Sequence, residues 1–257
     1  MNCRICNTEA LKVFDAKVLN KYNVSYFKCS KCDVLFTEKP YWLDEAYSRT
    51  INLSDTGLLS RNLYFSQIIS VLLFFEFDKY ARYLDYAGGY GVFTRLMRDI
   101  GFDFYWNDPY TQNLLANGFE YNLETNLKFE LLTAFEVFEH LENPNAEIEK
   151  MLTLSESIAL STELLPADVP DLKWWYYGFD HGQHITFYSS KTFSHLAQMF
   201  NLNYYNIDGI QLLTKKKFSR SKIILLKKIR NYGPLQLVKM IMKSKTFSDH
   251  LDLRNHS

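Results

Sequence analysis

Apolar residues occur along the middle of the chain in short runs with two different spacings. Residues 63–80 are apolar at helical spacing and in continuous stretches, which predicts a helix buried along one side. Residues 92–100 have a helical period that ends at Gly101. Four further runs have the length of strands: 82–86, 103–107, 129–135 and 158–162. Strands that alternate with helical stretches predict an α/β fold with a parallel sheet covered on both faces.

The pattern changes in the last third of the chain. Residues 191–200 have helical spacing, and residues 204–207 and 210–214 flank a two-residue turn, which predicts a β-hairpin. Apolar residues interleaved with lysines then predict two short helices, broken at the Gly-Pro pair 233–234. Within the N-terminal region, residues 24–27 read as a short strand.

Composition indicates a globular protein, since 47% of the 257 residues are hydrophobic and 16% are aromatic. The N-terminus has no apolar segment of signal-peptide length, and no uninterrupted apolar run is as long as a membrane span. We therefore expect a cytoplasmic protein.

Charge is unevenly distributed although the formal net charge is zero. Residues 215–245 contain eleven Lys and Arg and no acidic residue, so the rest of the chain is acidic. The favoured interpretation is that this basic tail packs on the acidic body or on a second subunit. The alternative is peripheral contact with an anionic membrane, at its inner surface.

All four cysteines belong to one pattern: Cys3-x-x-Cys6 and Cys29-x-x-Cys32, with 22 residues between the pairs. Two such turns can present four thiolates tetrahedrally to zinc, and a reducing compartment disfavours the alternative, disulfide bonds. Because protein would fill all four positions, we expect the zinc to be structural, in a zinc-ribbon-like module over residues 1–38.

A glycine loop, DYAGGYG at residues 85–91, lies between a predicted strand and a predicted helix. The absence of Cβ atoms at Gly88, Gly89 and Gly91 would let backbone N–H groups approach a ligand closely. Asp108 ends the next strand, where an acid can bind the two hydroxyls of a ribose. The loop alone could be a simple turn, but together with Asp108 it predicts an adenosine-containing ligand.

Two longer stretches carry a family resemblance. LDYAGGYGVFTRLMRDIG resembles motif I of class I S-adenosylmethionine-dependent methyltransferases, and FELLTAFEVFEHLENP resembles their fourth strand and the loop after it. The resemblance implies a Rossmann-like sheet of seven strands, mostly parallel with an antiparallel last strand. The predicted hairpin would supply the sixth and seventh strands.

The same resemblance implies how a cofactor would be held. Asp85 would orient the methionine end of S-adenosylmethionine, the three glycines would pass beneath it, and Asp108 would hold the ribose. The segment at Glu136 would close over the site. Ala87 departs from the family pattern, which usually has glycine there.

The N-terminal cysteine pairs make the chain similar to the sugar C-methyltransferases of bacterial deoxysugar pathways and their relatives in polysaccharide gene clusters. Those enzymes carry Y-x-E-H before a strand and a serine, with histidine taken as the catalytic base; this chain has HGQHITFYS. His184 matches the base, whereas Gln183 replaces glutamate and His181 replaces tyrosine. The resemblance thus implies His184 and His181 as catalytic candidates. The absence of the family's glutamate and tyrosine favours O-methylation of a sugar, nucleotide-sugar or glycan over C-methylation.

The resulting organisation has four parts: a zinc-binding module (1–38), a helical linker and lid (39–80), a methyltransferase domain (81–214) and basic C-terminal helices (215–257). The rings of residues 174–177 could stack on a sugar or form a core edge, and His140 would shape the loop on the cofactor side. Two other classes stay open. One is a nucleic-acid methyltransferase or binder, which the acidic body opposes; the other is a cofactor-binding protein without catalysis.

Overall fold

The computed structural model describes residues 1–48, 55–122, 125, 127–219, 221, 223 and 234–256. The strands are β1 (Leu11–Val18), β2 (Tyr22–Lys28), β3 (Leu35–Thr37), β4 (Arg82–Tyr86), β5 (Asp103–Asn107), β6 (Leu131–Phe135), β7 (Ser157–Ser161), β8 (Thr186–Phe187), β9 (Asn203–Ile207) and β10 (Ile210–Thr214). The α-helices are α1 (Leu43–Ala46), α2 (Leu58–Glu76), α3 (Val92–Ile100), α4 (Pro144–Leu152), α5 (Ser190–Met199), α6 (Pro234–Ile241) and α7 (Thr246–His256).

The main sheet has the strand order β5-β4-β6-β7-β10-β9. Pairing is parallel from β5 to β7, and β10 is antiparallel to both of its neighbours. The predicted strands and the closing hairpin are therefore confirmed to within two residues at their ends. The described part of the chain forms six strands of this sheet, one fewer than expected. At the β5 edge a single parallel bridge joins Trp106 and Glu120.

Helices cover both faces of this sheet, as the alternation of elements predicts. On one face α2, α3 and α6 pack on the strands through buried side chains such as Ile69, Met97 and Val238. On the other face α4 and α5 contribute Met151 and Phe193 to a second apolar cluster. Every residue of β7 and β10 is buried. This is expected for strands in a sheet that helices cover on both faces.

The N-terminal module forms a second sheet in the order β1-β2-β3-β8. Its fourth strand, β8, comes from the segment that follows His184, so the sheet joins residues far apart in sequence. Leu35 pairs with Phe187 and Phe36 with Thr186. The expected boundary at residue 38 therefore does not separate two independent sheets.

The helix α2 is long and apolar enough to cross a membrane by length and composition, with a mean hydropathy of 1.4. The sequence expectation considered only uninterrupted apolar runs, and none of these is as long as a membrane span. The mean hydropathy over the whole helix shows the property that these runs miss. Buried core helices meet the same criterion, and Ile69 and Leu73 of α2 are completely buried against the sheet.

The basic tail is partly described. The second predicted helix is confirmed as α6, which starts at Pro234. Most of the first predicted helix lies outside the described residues. A further helix, α7, was not predicted, and its Asp249 forms a buried ion pair with Arg98 of α3 at 2.7 Å. The described end of the tail thus packs on the body.

Candidate active site

A cavity of about 1620 Å³ lies at the carboxyl ends of the parallel strands. Its wall includes the loop after β4, Asp108 after β5, Glu136 after β6 and Ser161 at the end of β7. Ligands bind at this edge of open α/β sheets because the loops there leave a crevice between diverging connections. The volume exceeds that of pockets for a single small ligand, so the cavity can hold a nucleoside cofactor and an acceptor together.

The glycine loop has the backbone that the sequence predicts, with one unusual residue. Ala87 has a left-handed φ of 54°, a conformation that an L-residue adopts only at a cost and that glycine adopts freely. A Cβ at Gly88 would lie 2.8 Å from both Asp85 Oδ2 and a Trp106 ring carbon. A Cβ at Gly89 would meet nothing within 4 Å, so the backbone there borders open space.

Gly91 has a different role from the other two glycines. It does not line the cavity, and its φ is 80°. A Cβ there would come within 3.0 Å of the Ala116 backbone nitrogen. Glycine is therefore required at this position by the backbone conformation and by packing at the start of α3. The contact between Gly91 and a ligand that the sequence predicts has no counterpart among the residues that line the cavity.

Asp85 lies at the floor of the cavity and is almost completely buried. Its carboxylate accepts hydrogen bonds from the hydroxyls of Thr133 at 2.8 Å and Thr94 at 3.1 Å. Burial raises the pKa of Asp85 to about 7, against the lowering effect of these two hydrogen bonds. Asp85 is thus in position to order the loop as well as to face a ligand.

Asp108 connects the two loops of the cofactor side. Its Oδ2 accepts a hydrogen bond from the Gly89 backbone N–H at 2.9 Å, and its Oδ1 accepts from the N–H groups of Tyr110 and Thr111. A carboxylate has about four acceptor positions, so these contacts leave capacity for a ligand hydroxyl. The aspartate that the sequence predicts for a ribose is therefore fixed beside the glycine loop.

Three histidines meet on the opposite side of the cavity. The ring centroid of His184 lies 5.0 Å from that of His140 and 4.8 Å from that of His181. His184 Nδ1 lies 2.7 Å from the Tyr176 carbonyl oxygen, which can only accept, so Nδ1 carries the proton and Nε2 has a free lone pair. Burial, together with neighbouring His140, holds the pKa of His184 well below its usual value. His184 is therefore neutral near pH 7.

The other two histidines differ in the nitrogen that carries the proton. His181 Nδ1 accepts a hydrogen bond from the Gln183 backbone N–H at 3.2 Å, which places the proton of a neutral ring on Nε2. His140 Nδ1 lies 3.1 Å from the Gln183 carbonyl oxygen and 3.0 Å from the Tyr47 hydroxyl oxygen. Because the carbonyl oxygen can only accept, we assign the proton of the ring to Nδ1. His140 was expected to shape the cofactor-side loop, and the structure instead places it in ring contact with His184.

A buried glutamate lies beside these histidines, just beyond the end of β6, where the sequence shows an acid but predicts no role for it. Glu139 is fully buried, and its Oε1 accepts from the Tyr176 hydroxyl at 2.8 Å. Among the described residues, its Oε2 has no hydrogen-bond partner. Burial, and then the charge of Glu136, raise the pKa of Glu139 to about 8. In the sequence, this site is indicated by the adjacent acid and histidine at the end of EVFEH, the segment that follows a buried strand.

Glu136 lines the cavity between the two groups of residues. It has a left-handed φ of 54°, which for a non-glycine residue usually marks a functional or constrained position. Its carboxylate accepts from the Ser161 hydroxyl at 2.6 Å and lies 3.7 Å from Arg61 Nε. Arg61, at the start of α2, brings the segment expected to act as a lid to the wall of the cavity.

A family model described as a methyltransferase domain matches residues 61–207, which is more than half of the chain. The chain belongs to the methyltransferase domain family. The match starts in α2 and ends with β9, so it includes the glycine loop, Asp108 and Glu136. No curated protein matches the chain.

Several solved structures are similar to this methyltransferase domain at low identity. The mitomycin 7-O-methyltransferase MmcR aligns at 11% identity over 68% of this chain and 60% of its own, with a TM-score of 0.46. CalO1, a methyltransferase in calicheamicin biosynthesis solved in its SAH-bound form, aligns at 10% identity over the same shares, with a TM-score of 0.44. OxaC aligns at 16% identity over 51% of this chain, with a TM-score of 0.40.

The chain spans 41% of the length of OxaC and 60% of the lengths of CalO1 and MmcR. Because these TM-scores are low, the family assignment rests on the domain model alone.

The aromatic run before the histidine loop of the methyltransferase domain divides into two groups. Trp175 is 72% exposed and lines the cavity, whereas Tyr177 is buried in an aromatic cluster with Phe187. Tyr176 does both, since it lines the cavity and bonds to Glu139. The sequence left two interpretations of this run, a surface that stacks on a sugar and the edge of the core. Trp175 matches the first interpretation and Tyr177 matches the second.

The four cysteines lie together at the base of the N-terminal sheet, away from the cavity. Their Sγ atoms are all within 4.8 Å of one another, and none forms a disulfide. Three of these cysteines are buried. Four thiols at this mutual distance match the donor set of a closed tetrahedral metal site.

Proposed function

We propose that the protein is an S-adenosylmethionine-dependent methyltransferase that acts on a hydroxyl of a sugar, nucleotide-sugar or glycan, with His184 as the general base. The membership of the methyltransferase domain family supports the reaction class. One observation carries the assignment of roles: a single cavity holds the glycine loop and Asp108 on one side and a neutral histidine with a free nitrogen on the other.

The residues of the cofactor side match the chemistry of S-adenosylmethionine. Gly89 leaves open space above its backbone, and Asp108 is fixed beside it with remaining acceptor capacity for ribose hydroxyls. Asp85 lines the cavity beside the glycine loop and would orient the cationic methionine end, and the segment at Glu136 would close over the site. When bound, the cofactor supplies a methyl group already activated on a sulfonium, so the protein needs mainly to align the acceptor and remove its proton.

On the acceptor side, His184 would take the proton of the acceptor hydroxyl as the new O–C bond forms and the S–C bond breaks. The hydrogen bond from Nδ1 to the Tyr176 carbonyl fixes the ring, so that Nε2 is the nitrogen that accepts. His181, whose Nε2 carries a proton, would donate to another oxygen of the acceptor. The exposed ring of Trp175 offers a face on which a sugar could stack.

Calorimetric titration with S-adenosylmethionine, S-adenosylhomocysteine and NAD tests the cofactor assignment. We expect the first two to bind and NAD not to bind. Asp108→Asn should weaken binding by about 1.5–3 kcal/mol, since a hydrogen bond to a charged group contributes that much. Asp168→Asn, at an exposed position outside the cavity, is the matched control and should bind like the wild type. Failure of both adenosyl compounds to bind would overturn the proposal.

The base is tested separately, by radiolabelled methyl transfer to a panel of nucleotide-sugars and glycans. His184→Ala should abolish transfer to any acceptor found while leaving the affinity for S-adenosylhomocysteine within a few fold. Unchanged turnover would remove His184 from the role of base.

We further propose that the four-cysteine cluster binds a structural zinc ion. The support is the number of thiols, their mutual distances and the absence of disulfides among them. Four protein ligands leave no position open for water, so such an ion would stabilise the N-terminal sheet without taking part in the reaction.

A further inference from the structure

The cavity contains a second group of metal-ligand residues, distinct from the cysteines. Glu139, His140 and His184 each place one ligand atom within 4.8 Å of those of the other two. We infer that Glu139, His140 and His184 bind a divalent transition-metal ion at the acceptor side of the cavity. Two imidazoles and one carboxylate form a donor set that such ions occupy with positions left open for other ligands.

The hydrogen bonds around the two histidines support this inference. Nδ1 of His184 donates to the Tyr176 carbonyl oxygen at 2.7 Å, and Nδ1 of His140 to the Gln183 carbonyl oxygen at 3.1 Å. Metal-ligating histidines usually donate their second nitrogen to a backbone carbonyl or carboxylate, which fixes the tautomer and orients the ring. Both rings therefore have a free lone pair on Nε2.

Glu139 provides the independent observation. Its side chain is completely buried, its Oε1 is held by the Tyr176 hydroxyl, and its Oε2 has no partner in the described part of the chain. A buried carboxylate oxygen without a hydrogen bond costs free energy, and native proteins keep such atoms where they have a ligand or a function. A cation between Glu139 and the two imidazoles satisfies this atom.

His181 is excluded as a fourth ligand by its own hydrogen bond. Its Nδ1 accepts from the Gln183 backbone N–H, so in the neutral ring Nε2 is protonated and has no lone pair to offer. The site would therefore have three protein ligands, all of which line the cavity, and further positions on the ion would be open. They are available to oxygen atoms of a hydroxyl-bearing acceptor.

This inference rests on the proposed function for the nature of the acceptor and assigns His184 a different role. In the metal-bound protein His184 is a ligand, so it no longer acts as a free base. A bound divalent cation would instead lower the pKa of a coordinated hydroxyl, which would release its proton to water before methyl transfer. The two roles of His184, free base and metal ligand, can be distinguished by measurement. Methyl transfer requires the ion only if His184 is a metal ligand.

The test is titration of the full-length protein with Mn²⁺, counted as free ion by electron paramagnetic resonance, and in parallel with Co²⁺ by its absorption. Mn²⁺ prefers oxygen and nitrogen donors, so it discriminates against the cysteine cluster. Co²⁺ bound by thiolates gives intense charge-transfer absorption, which reports separately on that cluster. We expect one ion per chain bound at a site without thiolate absorption.

Glu139→Gln and His184→Ala should each weaken this binding at least about tenfold, since even the loss of a hydrogen-bond partner of a metal ligand typically costs that much. His250→Ala, at an exposed histidine of α7, is the matched control and should bind like the wild type. Retained S-adenosylhomocysteine binding would show that the variants are folded. The metal site would be overturned if the wild type bound no ion outside the cysteine cluster, or if both variants kept the wild-type affinity.

The two proposals fail in different ways. Loss of the metal site with intact S-adenosylhomocysteine binding leaves the methyltransferase assignment standing, with His184 as a free base. Absence of S-adenosylhomocysteine binding overturns the proposed function, whatever the result with Mn²⁺.

Discussion

At the residue scale, groups with strongly shifted pKa values cluster around the cavity. Burial raises the pKa of Asp85 to about 7 and, with Glu136, that of Glu139 to about 8, while burial lowers the pKa of His140 to about 4. Such shifts arise where ionisable side chains are removed from water, and they are concentrated at functional sites because chemistry needs groups that titrate outside their ordinary range.

Asp85 gives a prediction for stability against pH. The ordinary pKa of the carboxyl is 3.8, so between about pH 4 and pH 7 the folded protein retains a proton that the unfolded chain has released. Raising the pH across this interval therefore lowers the free energy of unfolding. The side chain introduced by Asp85→Asn cannot ionise. Between pH 5 and pH 7 the free energy of unfolding, measured by urea denaturation, should therefore fall less in this variant than in the wild type.

Other groups also titrate between pH 5 and pH 7. The measured quantity is therefore the difference between the wild type and Asp85→Asn in the free energy of unfolding lost over this interval. Asp168→Asn, at an exposed position, should keep the wild-type dependence on pH. A wild-type slope that is unchanged in Asp85→Asn would show that the folded protein holds this carboxyl ionised.

At the scale of elements, the C-terminal helix α7 is attached to the body by charge rather than by an apolar face. Arg98 of α3 donates to both carboxylate oxygens of Asp249, at 2.8 and 2.7 Å, and each of the two side chains is only 5% exposed. The Arg98 guanidinium also donates to Asp103 and lies 3.6 Å from the Phe119 ring centroid. A planar guanidinium makes this arrangement possible, since it can donate in several directions while stacking.

Removing one partner of this pair should be costly, because the other charge stays buried. We expect Asp249→Asn to lower the free energy of unfolding by about 3 kcal/mol in urea denaturation. Asp252→Asn, at an exposed position of the same helix, is the control and should change stability little. Equal stability of both variants would mean that α7 is not docked in solution as it is in the structure.

At the scale of the whole molecule, the N-terminal sheet holds the loop that carries His184. Arg4 donates to the Ile185 carbonyl at 3.0 Å and the Thr186 hydroxyl at 2.9 Å, and also to the carbonyls of Thr37 and Glu38. Strand β8 starts two residues after His184 and pairs with β3. The position of the proposed base thus depends on a module that lies about 150 residues earlier in the sequence.

Cys29→Ser should therefore affect catalysis as well as metal content. We expect release of zinc, a lower melting temperature and a reduced rate of methyl transfer, with S-adenosylhomocysteine affinity close to that of the wild type. Ser30→Ala, at the exposed neighbouring position, serves as the control. Metal analysis, thermal denaturation and radiolabelled methyl transfer measure the three effects, and calorimetry measures the affinity for S-adenosylhomocysteine. Full metal retention in Cys29→Ser would refute the zinc site.

The sequence by itself determined the α/β class, the sheet strands, the glycine loop beside Asp108 and the cysteine cluster. These features follow from local rules: hydrophobic periodicity, the conformational freedom of glycine and the short spacing of ligand pairs. The tertiary structure alone decided that Gly91 is a packing glycine, that Glu139 and His140 meet His184, and that β8 joins the N-terminal sheet. These depend on contacts between residues distant along the chain, and no local pattern records which distant residue will fill a buried position.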